Sequence, residues 1–276
     1  MLSGVREGPV VRNARVSGRA GSGTIFFSGC NLKCRFCQNY QLSWLGRGRP
    51  VSDEQLAGMM LDLQDKAALN INLVSPTHFL LPILRALRIA YSKGLEIPLV
   101  YNSNGYEQAP VLAHLEGIMD IYLPDLKFFS SALSLRISGA KDYFPMASEA
   151  IKEMACQQPV LVVDDQGIAQ RGLIVRHLAL PGQTEDTMAV LKWLAGELGA
   201  SVAVSLMSQY HPCFRPPVDM MRPLAEEEYR QALSTAEELG FECLFVQPES
   251  FDVDEHLIPD FERTEPFQWP GTQAKN

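Results

Sequence analysis

Short apolar runs alternate with amphipathic segments along this chain, and that alternation limits its fold more than any other feature. The runs are rich in β-branched and aromatic residues: "GTIFFSG" (23–29), "INLVS" (71–75), "IPLVYNS" (97–103), "IMDIYLPDLK" (118–127), "GLIVRHLALPG" (172–182), "SVAVSLMS" (201–208) and "CLFVQ" (243–247). Between them, helical patterns cover 53–68, 79–93, 107–116, 130–138, 146–157, 184–198 and 225–239. Ser52 is a plausible N-cap for the first helix, with Asp53 and Glu54 in the turn where the helix dipole favours acids. Continuous apolar strands separated by amphipathic helices indicate a parallel sheet covered by helices. Six strand-then-helix units plus a last strand predict an α/β fold, a partial (β/α)6 TIM-like barrel, with a doubly wound sheet as the alternative. A hairpin interrupts the rhythm where "VLVVD" (160–164) meets "QGIAQRGLIV" through Asp164, Asp165, Gln166 and Gly167.

With 276 residues and 46% hydrophobic content, the chain can bury a core. No internal linker appears, so one domain is expected over 1–249 with a short N-terminal extension, and an extended tail, rich in Pro and acids, over 250–276. The sequence has no apolar run of about eighteen residues and no leader pattern, so no membrane role is expected and a cytoplasmic location is the default. A net charge of −8 argues against nucleic-acid binding, although Arg47 and Arg49 form a small local basic patch.

Six cysteines are too few for a disulfide scaffold, and three of them, Cys30, Cys34 and Cys37, lie within "TIFFSGCNLKCRFCQNY" (24–40). They begin immediately after the first strand, at the end of a strand where chemistry sits in such folds. A structural zinc would need a fourth ligand, and no histidine occurs before His78. Three thiolates on a four-iron cube instead leave one iron open to a ligand.

The CxxxCxxC spacing, Phe36 before the third cysteine and "CQNY" around it resemble the cluster loop of radical S-adenosylmethionine (SAM) enzymes. Within that superfamily the chain is most similar to the group of the pyruvate formate-lyase activating enzyme, especially a branch carrying "GTIFFSGCN"; the resemblance covers roughly residues 20 to 247. It implies a [4Fe-4S] cluster on Cys30, Cys34 and Cys37 whose open iron binds SAM. It further implies a one-electron donor such as flavodoxin or ferredoxin, reductive cleavage of SAM to a 5′-deoxyadenosyl radical, and hydrogen-atom abstraction from a substrate.

The later strand ends extend the resemblance and depart from it. "VSPTH" (74–78) stands where such enzymes commonly carry a Gly-Gly-Glu segment, so Ser75 and Thr77 are the candidates for the SAM amino group, while His78 is either functional or an ordinary helix-start residue. "NSNG" (102–105) resembles the family's Asp-Thr-Asn-Gly with Asn102 replacing the acid and Ser103 beside it; a polar turn is the plainer alternative. "PDLK" keeps Asp125 and Lys127, which point to one face of a strand and resemble the family's pair near SAM and substrate. "RHLALPG" (176–182) assigns Arg176 to the SAM carboxylate, a fit for a planar guanidinium, and leaves His177 for packing. "QYHP" (209–212) assigns His211 to SAM. Cys213, in a proline-rich loop on the same side, is a candidate catalytic thiol beside Lys127, whereas Cys156 and Cys243 read as packing.

The functional expectation is a radical SAM enzyme, with a glycyl-radical activase as the first reading and modification of a peptide or small molecule as the second. A non-catalytic Fe–S electron carrier or sensor is the rival from another class; it would need neither Arg176 nor His211.

Overall fold

The computed structural model describes residues 2–7, 21–247 and 258–263. Its strands are β1 (Leu2–Glu7), β2 (Gly23–Phe27), β3 (Arg49–Val51), β4 (Ile71–Val74), β5 (Leu99–Asn102), β6 (Ile121–Tyr122), β7 (Val162–Val163), β8 (Ala169–Leu178), β9 (Ala203–Met207) and β10 (Leu244–Val246). Its helices are α1 (Tyr40–Ser43), α2 (Asp53–Asp65), α3 (Leu80–Ser92), α4 (Ala109–Leu112), α5 (Ser131–Ser138), α6 (Tyr143–Gln157), α7 (Thr184–Leu198) and α8 (Glu226–Glu238). From β2 through β4, β5, β6, β8, β9 and β10 the strands pair in parallel, in sequence order. Each crossover carries at least one helix, so the fold is the expected α/β partial barrel. The strands β1 and β3 extend the β2 edge in antiparallel pairings, and β7 turns back onto β8 as the predicted hairpin.

Strand alternation divides the sheet into two faces. Outward residues such as Leu73, Tyr101, Tyr122 and Val175 join the helices in the main core. Inward residues Val100, Ile121, Leu123, Ile174 and Ala203 form a separate apolar cluster that fills the lower barrel. Ser52 caps α2 as expected: its hydroxyl accepts from Gln55 N–H while the Gln55 side chain accepts from Ser52 N–H.

Two elements are shorter than the sequence pattern predicts. Of 118–127 only Ile121 and Tyr122 form regular strand, because Pro124 has no N–H to donate; pairing resumes beyond it at a single bridge between Asp125 and Arg176. The helix expected over 107–116 is one turn of α4 followed by a 3₁₀ turn at Ala113–Leu115.

The expected tail over 250–276 lies outside the described residues except for 258–263. That segment returns to the β2 edge: Phe261 is fully buried, edge-on to Phe26 with centroids 5.1 Å apart, and packs on Leu42. Gln41 reads its backbone by accepting from Phe261 N–H at 2.5 Å, and Arg47 pairs with Glu262 at 3.0 Å. Among the described residues no helix is long and apolar enough to cross a membrane.

Candidate active site

One cavity opens at the carboxyl ends of the strands, and Cys30, Cys34 and Cys37 all line it. The loop that carries them is pinned from several sides. Gly29 adopts φ +85°, and a side chain there would press on His78 Nε2 at 3.1 Å; that ring nitrogen lies 2.8 Å from Ser28 O. Trp44 Nε1 donates to Cys34 O at 2.9 Å. The sulfurs receive hydrogen bonds of their own: Asn104 Nδ2 donates to Cys30 Sγ at 3.2 Å, Leu32 N–H donates to Cys30 Sγ at 3.4 Å, and Ser43 Oγ donates to Cys37 Sγ at 3.2 Å. Burial pushes the Cys34 and Cys37 thiols up from their ordinary range, opposed by the Lys127 ammonium and, at Cys37, by the Ser43 hydrogen bond.

Another part of the cavity lining is charged and tightly coupled. Asp125 lies between two cations, 2.5 Å from Lys127 Nζ and 2.8 Å from Arg176 Nη2, and Arg176 Nη2 also donates to Asn102 Oδ1 at 2.8 Å. Burial raises the Asp125 pKa, but Arg176 and Lys127 outweigh it and hold the carboxyl below its usual range. Lys127 shifts upward although burial opposes its charge, because Asp125 stabilises the ammonium. Lone buried charges here would cost several kcal/mol, so the three groups depend on one another. Tyr143 fixes the backbone behind them: its hydroxyl accepts from Lys127 N–H at 2.9 Å and lies 2.8 and 2.9 Å from the carbonyls of Asn104 and Asp125. Gly105 lets the β5 and β6 loops meet, since a Cβ there would stand 2.2 Å from Asp125 O.

Among the predicted residues, Phe36, Ser75, Asn102, Ser103, Asp125, Lys127, Arg176 and His211 line the same cavity as the thiols. Phe36 packs edge-on against Tyr210, 5.4 Å between centroids. Ser75 holds a left-handed φ of +58°, a conformation that costs a non-glycine residue about 1–3 kcal/mol and is typical of functional loops. His177, as expected, faces the helices, 2.6 Å from Leu126 O and 3.0 Å from Thr187 Oγ1.

Two candidates lie elsewhere. Thr77 does not line the cavity; its hydroxyl donates to Glu107 Oε1 at 2.5 Å, behind the loops. Cys213, the candidate catalytic thiol, is likewise absent from the cavity lining: its thiol is buried and donates to Phe36 O at 3.3 Å, and burial pushes its pKa up to about 12. Sequence reasoning missed Asn104, Ser43, Tyr143 and Glu107. The second asparagine of "NSNG" was the available signal for Asn104, and Ser43 lies close in sequence to the Cys37 it serves; Tyr143 and Glu107 act through contacts distant in sequence.

The chain matches the Radical SAM superfamily over residues 24–194, and it belongs to that superfamily. It is 31% identical over 236 residues to the uncharacterised protein MJ0674 of Methanocaldococcus jannaschii, an alignment covering 81% of this chain and 64% of that protein, so this chain spans just under two thirds of its relative's length. Among solved structures, hexahistidine-tagged anSMEcpe with bound AdoMet superposes with a TM-score of 0.52 at 14% identity, over 79% of this chain and 60% of that one, a likeness of fold.

As a member of this superfamily the chain takes a [4Fe-4S] cluster and SAM as cofactors. The donor set fits both. Three cysteine thiols line the cavity, the ligand type that holds iron–sulfur clusters. In the charged part of the lining, Arg176 Nε is buried with no hydrogen-bond partner, and Asp125 Oδ1, though 2.8 Å from Arg176 Nη2, is not aligned to accept from it. An unsatisfied buried guanidinium nitrogen in a cavity wall is suited to a carboxylate ligand.

Proposed function

We propose that this radical SAM enzyme abstracts a hydrogen atom in the manner of the pyruvate formate-lyase activating-enzyme branch, acting on a glycyl position of a partner protein. The observation that carries the reading is the shared cavity: it is lined by three thiols together with the Asp125–Lys127–Arg176 network and Asn102, all at strand ends. When bound, the cluster and SAM supply one-electron sulfonium cleavage and the hydrogen-abstracting radical.

In this reading Cys30, Cys34 and Cys37 hold the cluster, and Asn104 and Ser43 stabilise thiolate charge at two of them. Arg176 offers its unpartnered Nε to the SAM carboxylate, while Asp125 and Asn102 fix the guanidinium plane. Ser75 and Ser103 present short polar groups to the methionine end, and His211 and Phe36 flank it. Lys127 holds its proton and presents a cation to the cavity next to Cys34.

The test is an anaerobic deuterium-transfer assay on the cluster-loaded enzyme with SAM and dithionite. Transfer into 5′-deoxyadenosine from a protein deuterated at glycine supports the activase reading. Transfer only from a peptide or small-molecule pool moves the enzyme to the second substrate class, and absence of 5′-deoxyadenosine from a reduced cluster would sink the radical reading.

A further inference from the structure

The chain is acidic overall, with 32 Asp and Glu against 24 Lys and Arg, yet no acidic residue occurs between Glu7 and Asp53, a span that holds Arg12, Arg15, Arg19, Lys33, Arg35, Arg47 and Arg49. The fold gathers part of this imbalance on the outer face of the cluster loop. Lys33 and Arg35 are exposed and flank the buried Cys34. Arg215, also exposed, joins them from the loop after β9: its N–H donates to Arg35 O at 3.0 Å, and Arg35 Nε donates to its carbonyl at 3.1 Å.

Aromatic rings support these cations from below. Phe214 stacks on Tyr40 at 4.8 Å and leans on Trp44 at 5.3 Å, while Lys33 Nζ lies 5.7 Å over the Trp44 ring and the Arg215 guanidinium 4.9 Å over Phe214. Phe214 holds a left-handed φ of +63°, so the platform is kept against a local conformational cost. Arg47 is neutralised by Glu262, but Lys33, Arg35 and Arg215 have no carboxylate partner among the described residues.

We propose that this face is the docking surface for an acidic protein that delivers single electrons, of the flavodoxin type. The inference deepens the radical SAM reading and rests on it, since that chemistry requires an electron from outside. Three observations converge. The face is the solvent side of the segment that carries the cluster thiols, with Trp44 bonded to Cys34 O, so it offers a short route from surface to cluster. A net charge of −8 would repel an acidic partner from most of the molecule, and a cationic island both steers it and selects its orientation. The patch is small and polar, as suits a transient encounter rather than a permanent complex.

The experiment uses the cluster-loaded full chain and flavodoxin as the probe, comparing wild type with the triple variant Lys33→Gln, Arg35→Gln, Arg215→Gln and with the charge-conserving set Lys33→Arg, Arg35→Lys, Arg215→Lys. Binding is measured by titration calorimetry at low and high salt, and cluster reduction by reduced flavodoxin or by dithionite is followed optically. The glutamine variant should bind at least about tenfold more weakly and lose its salt dependence. Its reduction by flavodoxin should slow by a similar factor while dithionite reduces it at the wild-type rate, and the charge-conserving set should behave as wild type. Undiminished flavodoxin binding by the glutamine variant overturns the proposal. Equal slowing with both reductants, or tighter wild-type binding to a short RNA than to flavodoxin, does so too. A wild-type cluster that dithionite reduces without forming 5′-deoxyadenosine would fail the radical reading and leave the binding comparison intact.

Discussion

The inward face of the barrel carries two rows only two residues apart on the same strands, and they do opposite work. In the lower row Val100, Leu123 and Ile174 close into an apolar cluster. One step further along, Asn102, Asp125 and Arg176 line the cavity, Arg176 ion-paired with Asp125 and hydrogen-bonded to Asn102. The backbone is shared, so the difference comes from what lies above each row: packed side chains over the first and an open cavity over the second. A charge in the lower row would have neither partners nor water, whereas the upper row satisfies its charges within the row and toward a ligand.

The sharpest break between the rows comes from the cysteine loop. Cys34→Ala should abolish both the cluster's visible absorbance and 5′-deoxyadenosine formation while the far-ultraviolet circular dichroism stays native. Ile174→Ala, one position pair below Arg176, should cost about 2–5 kcal/mol in chemical denaturation yet leave SAM affinity near wild type once folded. If it loosened SAM binding as much as it lowered stability, the division of labour would be wrong.

The loops behind the upper row give a pH signature. Burial raises the Glu107 carboxyl to about 7, moderated by hydrogen bonds from Thr77, Tyr101 and Ser103. The folded protein therefore binds a proton there that the unfolded chain releases near the ordinary value of 4.5. Stability from this group is complete below that value, falls as pH rises toward about 7, and is lost above it. Glu107→Gln should remove up to about 3 kcal/mol of that dependence, read as a flattened difference in Tm between pH 5 and pH 8. An unchanged profile would place the titration elsewhere.

Arg176→Lys keeps the charge but loses the second donor direction, and should weaken SAM binding by about 1.5–3 kcal/mol with cluster content retained. The smallest effect is electronic: Asn104→Ala removes a donor from Cys30 Sγ and should shift the cluster's midpoint potential negative, on the order of tens of millivolts, in an EPR-monitored titration.

Much of this was legible in the sequence because strands of a covered parallel sheet advertise themselves as apolar runs, and because chemistry gathers where those runs end. Cys34, Asp125 and Arg176 could be found by that rule. Thr77 and Cys213 also sit at strand ends, but the rule does not fix side-chain direction, and both turn away from the cavity. Nothing local marks Glu107 as Thr77's partner or Tyr143 as the hydroxyl behind Asp125, since those contacts cross between crossover units. Proline explains the shortened β6: the run 118–127 carries strand composition, while Pro124 removes the donor that regular pairing needs.

Phe261 carries a consequence for the order in which the molecule is made. Its partners Phe26 and Leu42 lie at the first strand of the barrel and just after it, whereas Phe261 follows every strand of the barrel in the sequence. Closing so long a loop is slow compared with the local contacts of the cysteine segment. During synthesis the flank of the cluster loop at Phe26 and Leu42 therefore waits for its cover until the barrel strands have been made, and it is sealed by a residue that follows them all.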